Sequence, residues 1–271
     1  MITPTWQAGD VQLYLGDCLE ILPQLEAGSV DLTVTSPPYD NLRTYNGYTF
    51  NFEGIAQELF RVTKPGGVVV WVVGDATIDG SETGTSFRQA LYFKEIGFNL
   101  HDTMIYEKNG APFPDKTRYY NIFEFMFILS KGLPAKINLI EDRKNKWLNS
   151  WGVQSKRNSN GQLENYKRVN SNNVGVRFNI WRINTGKGFT TDDEYAYEHP
   201  AMFPEVLARD HILSWSNPGD TVLDPMMGSG TTGKMAEKND RPFIGIEISN
   251  EYFDIAVKRI QQAQLQIRMD I

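Results

Sequence analysis

The sequence predicts an α/β fold with a mostly parallel central sheet and helices on both faces. Short apolar runs alternate along the chain with amphipathic stretches at helical spacing, the pattern of strands and crossover helices. One run, Val68 to Val73, is apolar at every position, as expected of a strand covered on both faces. Near the other end an apolar segment closes in a Gly-rich turn that leads into a helix, the first βα turn of a nucleotide-binding sheet. A chain of 271 residues suits one large sheet domain with a substantial core.

Taken in order, strands are expected at 11–15, 32–35, 68–73, 101–106, 124–129, 221–223 and 243–246. Helices are expected at 18–25, 52–62, 86–95, 204–215, 231–238 and 250–262. Lys64-Pro65-Gly66-Gly67 should end the second helix before the central strand begins. From 136 to 175 neither period survives, so this stretch reads as irregular. There is no internal repeat.

The segment Val30-Asp31-Leu32-Thr33-Val34 delivers a stiff turn, Thr35-Ser36-Pro37-Pro38-Tyr39. Each proline fixes its own φ, removes a backbone donor and restricts the residue before it. The carbonyls of Ser36 and Pro37 are thereby kept out of a regular ladder beside the ring of Tyr39. A fixed acceptor cluster next to a stacking ring suits a planar base held by its exocyclic amine. A Pro-Pro turn with a packed tyrosine is the plainer alternative.

The Gly-rich turn reads Asp224-Pro225-Met226-Met227-Gly228-Ser229-Gly230-Thr231-Thr232. Gly228, Gly230 and Gly233 do fall at Gly-x-Gly-x-x-Gly spacing, but the acidic strand end disfavours a dinucleotide, and the Gly-Lys-Ser/Thr of a phosphate loop is absent. Asp224 at the strand end would repel a pyrophosphate and welcome a cationic or zwitterionic ligand. The next apolar strand ends in Glu247, 23 residues after Asp224. That is close to the spacing of roughly 20 at which a carboxylate grips ribose hydroxyls; a solvated strand cap is the alternative.

Together these motifs resemble the S-adenosylmethionine-dependent DNA amino-methyltransferases. Because Ser-Pro-Pro-Tyr precedes Asp-Pro-Met-Met-Gly-Ser-Gly, the order is that of the permuted beta group. The likeness extends to Leu15-Gly16-Asp17-Cys18, to Leu59 through Gly67, to His199-Pro200-Ala201-Met202-Phe203-Pro204, to Arg241 through Tyr252 and to Arg259-Ile260. It departs at Met226-Met227, where an aromatic residue is usual, and at Ala201-Met202, where polar residues are frequent.

The resemblance implies a Rossmann-like methyltransferase fold with S-adenosylmethionine as methyl donor. Ser36, Pro37, Pro38 and Tyr39 would be catalytic. Thr35, Asp224, Pro225, Gly228, Ser229, Gly230 and Thr231 would line the cofactor, with Glu247 on its ribose and His199 on its outer wall. Asp17 would accept from the adenine amine, or else cap the helix that follows it. Family members with Ser at the first motif position act mostly on cytosine and those with Asp mostly on adenine. The expected product is therefore 4-methylaminocytosine, with the 6-amino group of adenine as the alternative. Loss of activity in a pure DNA-binding module, or an RNA or protein substrate, are further alternatives that the intact motifs and their order disfavour.

The net charge of −6 looks wrong for a DNA-binding protein until it is divided. Between residues 131 and 190 there are 12 Lys/Arg against three acidic residues, a net of +9. This is the footprint of polyanion binding, unless it is simply a solvated basic loop. The segment is rich in Asn, Ser and aromatic residues and is expected to be the target-recognition insertion. Lys144, Lys146, Lys156, Arg157, Lys167, Arg168 and Arg177 are the candidate contacts to duplex DNA. Residues 1–130 would form the catalytic half of the methyltransferase domain and 191–271 its cofactor half.

The single cysteine, Cys18, allows no internal disulfide and no Cys/His cluster suggests a metal. No apolar run is long enough to span a bilayer, and no basic-then-apolar leader opens the chain, so a cytoplasmic protein of a bacterium, archaeon or phage is expected. A homodimer is expected by resemblance, with residues 52–62 or the C-terminal helix supplying an apolar surface. A cognate restriction endonuclease is a possible partner; no nuclease motif is visible in the chain itself.

Overall fold

The computed structural model describes residues 2–38, 50–110, 116–145, 152–168, 172–198 and 202–269. It separates into two compact units, Met1–Asn138 with Asn179–Ile271, and Leu139–Phe178.

In the larger unit β1 (Trp6–Ala8) and β2 (Val11–Leu15) form an edge hairpin, followed by α1 (Cys18–Ile21). β3 (Val30–Thr35) leads to α2 (Phe52–Val62), β4 (Thr63–Val73), a small ribbon of β5 (Thr77–Ile78) and β6 (Ser81–Glu82), and α3 (Thr85–Glu95). β7 (Asn99–Glu107) and β8 (Phe123–Ser130) close the first half. In the smaller unit β9 (Arg143–Lys144) pairs β12 (Val174–Gly175), and β10 (Gly152–Arg157) pairs β11 (Leu163–Arg168). The larger unit resumes with β13 (Ile180–Arg182), α4 (Glu205–Trp215), β14 (Val222–Asp224), α5 (Thr231–Glu237), β15 (Phe243–Glu247) and α6 (Asn250–Met269).

The main sheet runs β1-β2-β15-β14-β3-β4-β8-β7-β13. Its centre, from β2 to β4, is parallel throughout. The first strands of the chain thus lie beside the last, as the permuted motif order predicts. α1, α2 and α3 form one helical layer and α4, α5 and α6 the other. Alternation along β4 serves both layers. Trp71 joins the buried cluster with Ile55, Leu59 and Phe93, its ring 5.2 Å from that of Phe93, while Val68, Val70 and Val72 point to the opposite face.

α2 begins where Asn51 accepts the Gly54 N–H at 3.1 Å and buries Ile55, Ala56, Leu59 and Val62. Its apolar stripe is spent on the core, as is most of that of α6, where Phe253, Ala256, Ile260 and Ala263 are buried. Neither stripe is left as the free dimer surface expected from the sequence. Among the described residues no helix is long and apolar enough to cross a membrane.

Three expectations are corrected. The helix expected at 18–25 ends at Ile21 and tightens to a 3-10 turn over Leu22–Gln24, because Pro23 has no N–H for an α-helical bond. Lys64-Pro65-Gly66-Gly67 belongs to β4, whose pairing with β3 shifts register between Val30 and Leu32. A Cβ on Gly67 would stand 2.7 Å from the Thr63 methyl and 3.0 Å from the Asp31 carbonyl, so the bulge needs a glycine. Finally, the basic insertion is not irregular: β10 and β11 form a six-pair hairpin. Its exposed polar residues leave no hydrophobic period to read.

Asp31, buried in β3, fastens the bulge to its surroundings. It accepts from Lys64 Nζ at 2.5 Å, Lys136 Nζ at 2.9 Å and the Thr221 N–H at 3.0 Å. Burial alone would raise its pKa, but the hydrogen bonds from Lys136 and Lys64 hold it below the ordinary carboxylate value. Asp31→Ala is expected to cost about 2–3 kcal/mol in urea unfolding at pH 7. Because the folded pKa is depressed, that stability is present above the unfolded pKa and is lost as the pH falls through the folded one. The gap between parent and variant should therefore close below pH ~4.

Candidate active site at the carboxyl ends of the parallel strands

β3 and β14 are parallel neighbours, with Leu32 opposite Val222 and Thr33 opposite Leu223. Both therefore release their chains at the same edge, β3 into Ser36-Pro37-Pro38 and β14 into the Gly-rich turn. Thr35 Oγ1 donates to Asp224 Oδ1 at 2.8 Å in a buried hydrogen bond between residues 189 apart in sequence. Thr232 Oγ1, on the first turn of α5, donates to the Val34 carbonyl at 3.1 Å. Ser36 and Pro38 are half-buried and Pro37 is buried.

The turn itself is shaped by close approach. Gly228 and Gly230 have φ of +51° and +78°. A Cβ on Gly230 would lie 2.8 Å from that of Ala256 in α6, so a side chain is excluded on two counts. The Gly228 N–H donates to Glu247 Oε2 and the Ser249 N–H to Glu247 Oε1, both at 2.9 Å. On the next strand the Gly16 N–H donates to the Glu247 carbonyl at 2.9 Å, and Asp17 caps α1 by accepting from the Leu19 N–H at 2.8 Å. The cap expected of Asp17 is thus present; its carboxylate also stands at the end of β2.

Asp17, Glu247, Asp224 and Thr35-Ser36 consequently form a row across four neighbouring strand ends, β2, β15, β14 and β3. At the usual strand spacing the row is about 14 Å long, the reach of a nucleoside joined to an amino acid.

The electrostatics are unusual. Asp224 is buried, and burial raises its pKa to about 6 against hydrogen bonds from Thr35 and Thr232 that favour the charged form; nearby Glu247 adds to the rise. Burial also raises Glu247. Among the described residues neither carboxylate has a Lys or Arg within ion-pair distance. Two buried carboxylates without cations, beside a glycine cradle, fit a ligand that brings positive charge and hydroxyl donors.

Behind the turn the opposite holds. Arg259, fully buried on α6, donates from Nη1 to the Ser229 carbonyl at 2.9 Å and to Thr231 Oγ1 at 3.0 Å. Its other nitrogens reach Asp193 at 2.9 Å and Glu205 at 2.8 Å. Lys234 bonds the same two carboxylates at 2.7 and 2.8 Å. This four-residue network fixes the back of the Gly-rich turn, and no role for it was read from the sequence. An arginine on the apolar face of a predicted helix was the one available signal; nothing in the spacing points to Asp193.

The remaining expected residues fall as follows. Tyr39, His199 and Lys146 lie outside the described residues. Lys144 is on β9, Lys156 and Arg157 on β10, and Lys167 and Arg168 on β11. Arg177 is engaged by Asp142, whose pKa it lowers, so less of its charge is free. Cys18 is buried, and burial with the neighbouring Asp17 pushes its thiol up to about 12, which leaves it inert. Among the described residues no cluster of His, Cys, Asp or Glu could hold a metal.

The sequence profile of a DNA methylase family matches residues 30–258. The chain belongs to this DNA methylase family. The orphan methyltransferase M.BamHII of Bacillus amyloliquefaciens is 62% identical to it over 251 residues, covering 91% of each chain. The type II methyltransferase M.Cfr9I of Citrobacter freundii is 30% identical over 92% of this chain and 87% of its own. In fold, the chain is similar to the cytosine-N4-specific PvuII DNA methyltransferase, with a TM-score of 0.69 at 21% identity over 98% of this chain and 95% of that one. Membership makes this a DNA amino-methyltransferase dependent on S-adenosylmethionine, a ligand that combines a sulfonium and an ammonium with ribose hydroxyls. That is the chemistry the two unpaired carboxylates fit.

Asp224 yields a prediction with two readouts. Its folded pKa is raised, so its contribution to stability is greatest below the unfolded value near 4 and is lost as the pH rises through about 6. Asp224→Asn keeps an acceptor for Thr35 and should stabilise the ligand-free chain by about 1–3 kcal/mol at pH 8, with the gain shrinking toward pH 5. Calorimetric titration of the same variant with S-adenosylmethionine should show much weaker binding. A variant that binds as well as the parent would remove Asp224 from the site.

Proposed function

We propose that this chain is a site-specific DNA methyltransferase that modifies the 4-amino group of cytosine in a base turned out of the duplex. The buried Thr35–Asp224 hydrogen bond carries this reading, because it ties the Ser36-Pro37-Pro38 turn to the cofactor turn at one sheet edge. S-adenosylmethionine, when bound, supplies an electrophilic methyl group on a sulfonium. Asp224 offers it negative charge, Glu247 accepts from its ribose, and Gly228 and Gly230 let the backbone come close. Asp17 is the acceptor for its adenine amine.

The difficulty of the reaction lies in the cytosine amine, whose lone pair is delocalised into the ring. The Pro37 carbonyl accepts from that amine and draws it toward tetrahedral geometry. Ser36 Oγ accepts from the amine and donates to the adjoining ring nitrogen, which a carboxylate at this position could not do unless protonated. The two prolines hold both groups in place before the base arrives, so orientation is settled in advance. Tyr39 stacks on the base. The basic unit, eight Lys/Arg against three acidic residues in Leu139–Phe178, grips the phosphates, while the rest of the chain is net −11. The orphan status in the name of M.BamHII supports action without a cognate endonuclease.

Ser36→Ala should lower methyl transfer to duplex DNA about 100-fold or more while leaving calorimetric binding of S-adenosylmethionine intact. Unchanged turnover would remove Ser36 from the mechanism. Mass spectrometry of nucleosides from DNA modified by the parent enzyme should find 4-methylcytosine. Methyladenine without methylcytosine would overturn the choice of base.

A further inference from the structure

The hairpin of β10 and β11 is a two-stranded sheet of its own, with no further strand paired to it among the described residues. Every described side chain from Ser155 to Arg157 and from Leu163 to Tyr166 is exposed, and Val153 and Leu163 keep 65% and 63% of their surface. A ribbon of this kind is marginal by itself, and apolar residues open on it call for a partner. Yet its far end is held firmly. Asn158 Oδ1 accepts from the N–H groups of Asn160 and Gln162, its own N–H donates to the Gln162 carbonyl, and Gly161 takes φ of +79°. Arg157 donates to the Gly161 carbonyl at 2.8 Å.

Register divides the side chains between two faces. Val153, Ser155, Arg157, Leu163 and Asn165 share one, and Lys156, Glu164 and Tyr166 the other. The first face has no acidic group among its described residues, and its centre is a built pair: Ser155 Oγ donates to Asn165 Oδ1 at 2.8 Å. That bond leaves the Asn165 amide donors beside the Ser155 oxygen lone pairs, a donor next to an acceptor. Apolar Val153 and Leu163 flank the pair. The second face carries Glu164, which phosphates would repel.

We propose that this ribbon enters the major groove of duplex DNA with the Ser155–Asn165 face against the base edges, and that this pair reads one base pair of the recognition sequence. The inference rests on the methyltransferase reading above and specifies which residues choose the site. A major groove about 12 Å wide admits a two-stranded ribbon, and a donor beside an acceptor distinguishes one base edge from another there. Six residues per strand extend about 20 Å, enough for about six base pairs. The net +5 of the unit fits a polyanion, and the exposed apolar side chains beside a polar pair fit base edges with thymine methyl groups better than phosphates alone.

The test uses the full chain and a library of random-sequence duplexes, scored separately for retained sequences and for methylated ones. Asn165→Ala and Ser155→Ala should each relax the choice at the same single base pair, lowering discrimination there about 10- to 100-fold. Tyr166→Ala, on the other face, should keep the parent's choice, and S-adenosylmethionine binding should be unchanged in all three. Selection identical to the parent's in both face variants overturns the proposal, as does tighter retention of single strands or RNA than of duplex. Sequence selection lost in the face variants by a parent that transfers no methyl group would support the ribbon and sink the enzymatic reading instead.

Discussion

The Thr35 hydroxyl and the Asp224 carboxylate meet where β3, from the first half of the permuted chain, lies beside β14, from the second. That contact has to be made without water, since both residues are buried. In a low-dielectric setting the hydrogen bond is stronger than at a surface, and losing either partner leaves a polar atom stranded. The constraint propagates outward. Thr35 precedes the Ser36-Pro37-Pro38 turn, so its position sets where the two prolines begin. Asp224 precedes the Gly-rich turn and also accepts from the Met226 N–H at 3.2 Å, so it sets where that turn begins. Thr232 adds a second tie from α5 to β3. A shift of one strand by a single residue would reverse every side chain on it and break the Thr35–Asp224 contact.

Two kinds of carboxylate lie in this half of the chain, the half-buried Asp193 and Glu205 and the buried Asp224 and Glu247, and they differ in their partners. Asp193 and Glu205 are matched by Arg259 and Lys234 in a closed network. Burial alone would raise Asp193, yet its bonds to Lys234 and Arg259 hold it low. Asp224 and Glu247 have hydrogen bonds but no cation among the described residues, and both are raised. A fold selected for stability alone would neutralise them or replace them with apolar residues. Their presence beside a glycine cradle is what the proposed cofactor site requires, stability being given up there for binding. The paired network behind the turn offsets that cost by keeping the cradle from collapsing around the unpaired charges.

How much of this was legible follows from which signals are local. The strand before Ser36, the prolines after it and the glycines after Asp224 announce themselves within a dozen residues, because backbone geometry dictates those residue types. Helix α2 was legible from its spacing, and its bounds agree with the expectation. The tail of α6 to Met269 was missed because Gln-rich sequence has helix propensity without a stripe. Arg259 was quoted for its likeness and given no role, since its partners are contributed by segments 66, 54 and 30 residues away. The hairpin in the basic unit was invisible for a different reason. Hydrophobic period reports burial on one side of an element, and this ribbon buries neither.

That blind spot has a physical meaning. An element that shows no period because nothing in its own chain covers it has its complementary surface elsewhere, and composition then becomes the better guide. Residues Leu139–Phe178 carry net +5 against −11 for the rest of the chain. On the proposed reading, long-range attraction to a polyanion acts through this unit. Charge of this kind brings DNA in without regard to sequence, and it weakens as salt rises. Discrimination must come from short-range groups that salt does not screen, and on the proposed reading the neutral, hydrogen-bonded pair Ser155 and Asn165 is such a group.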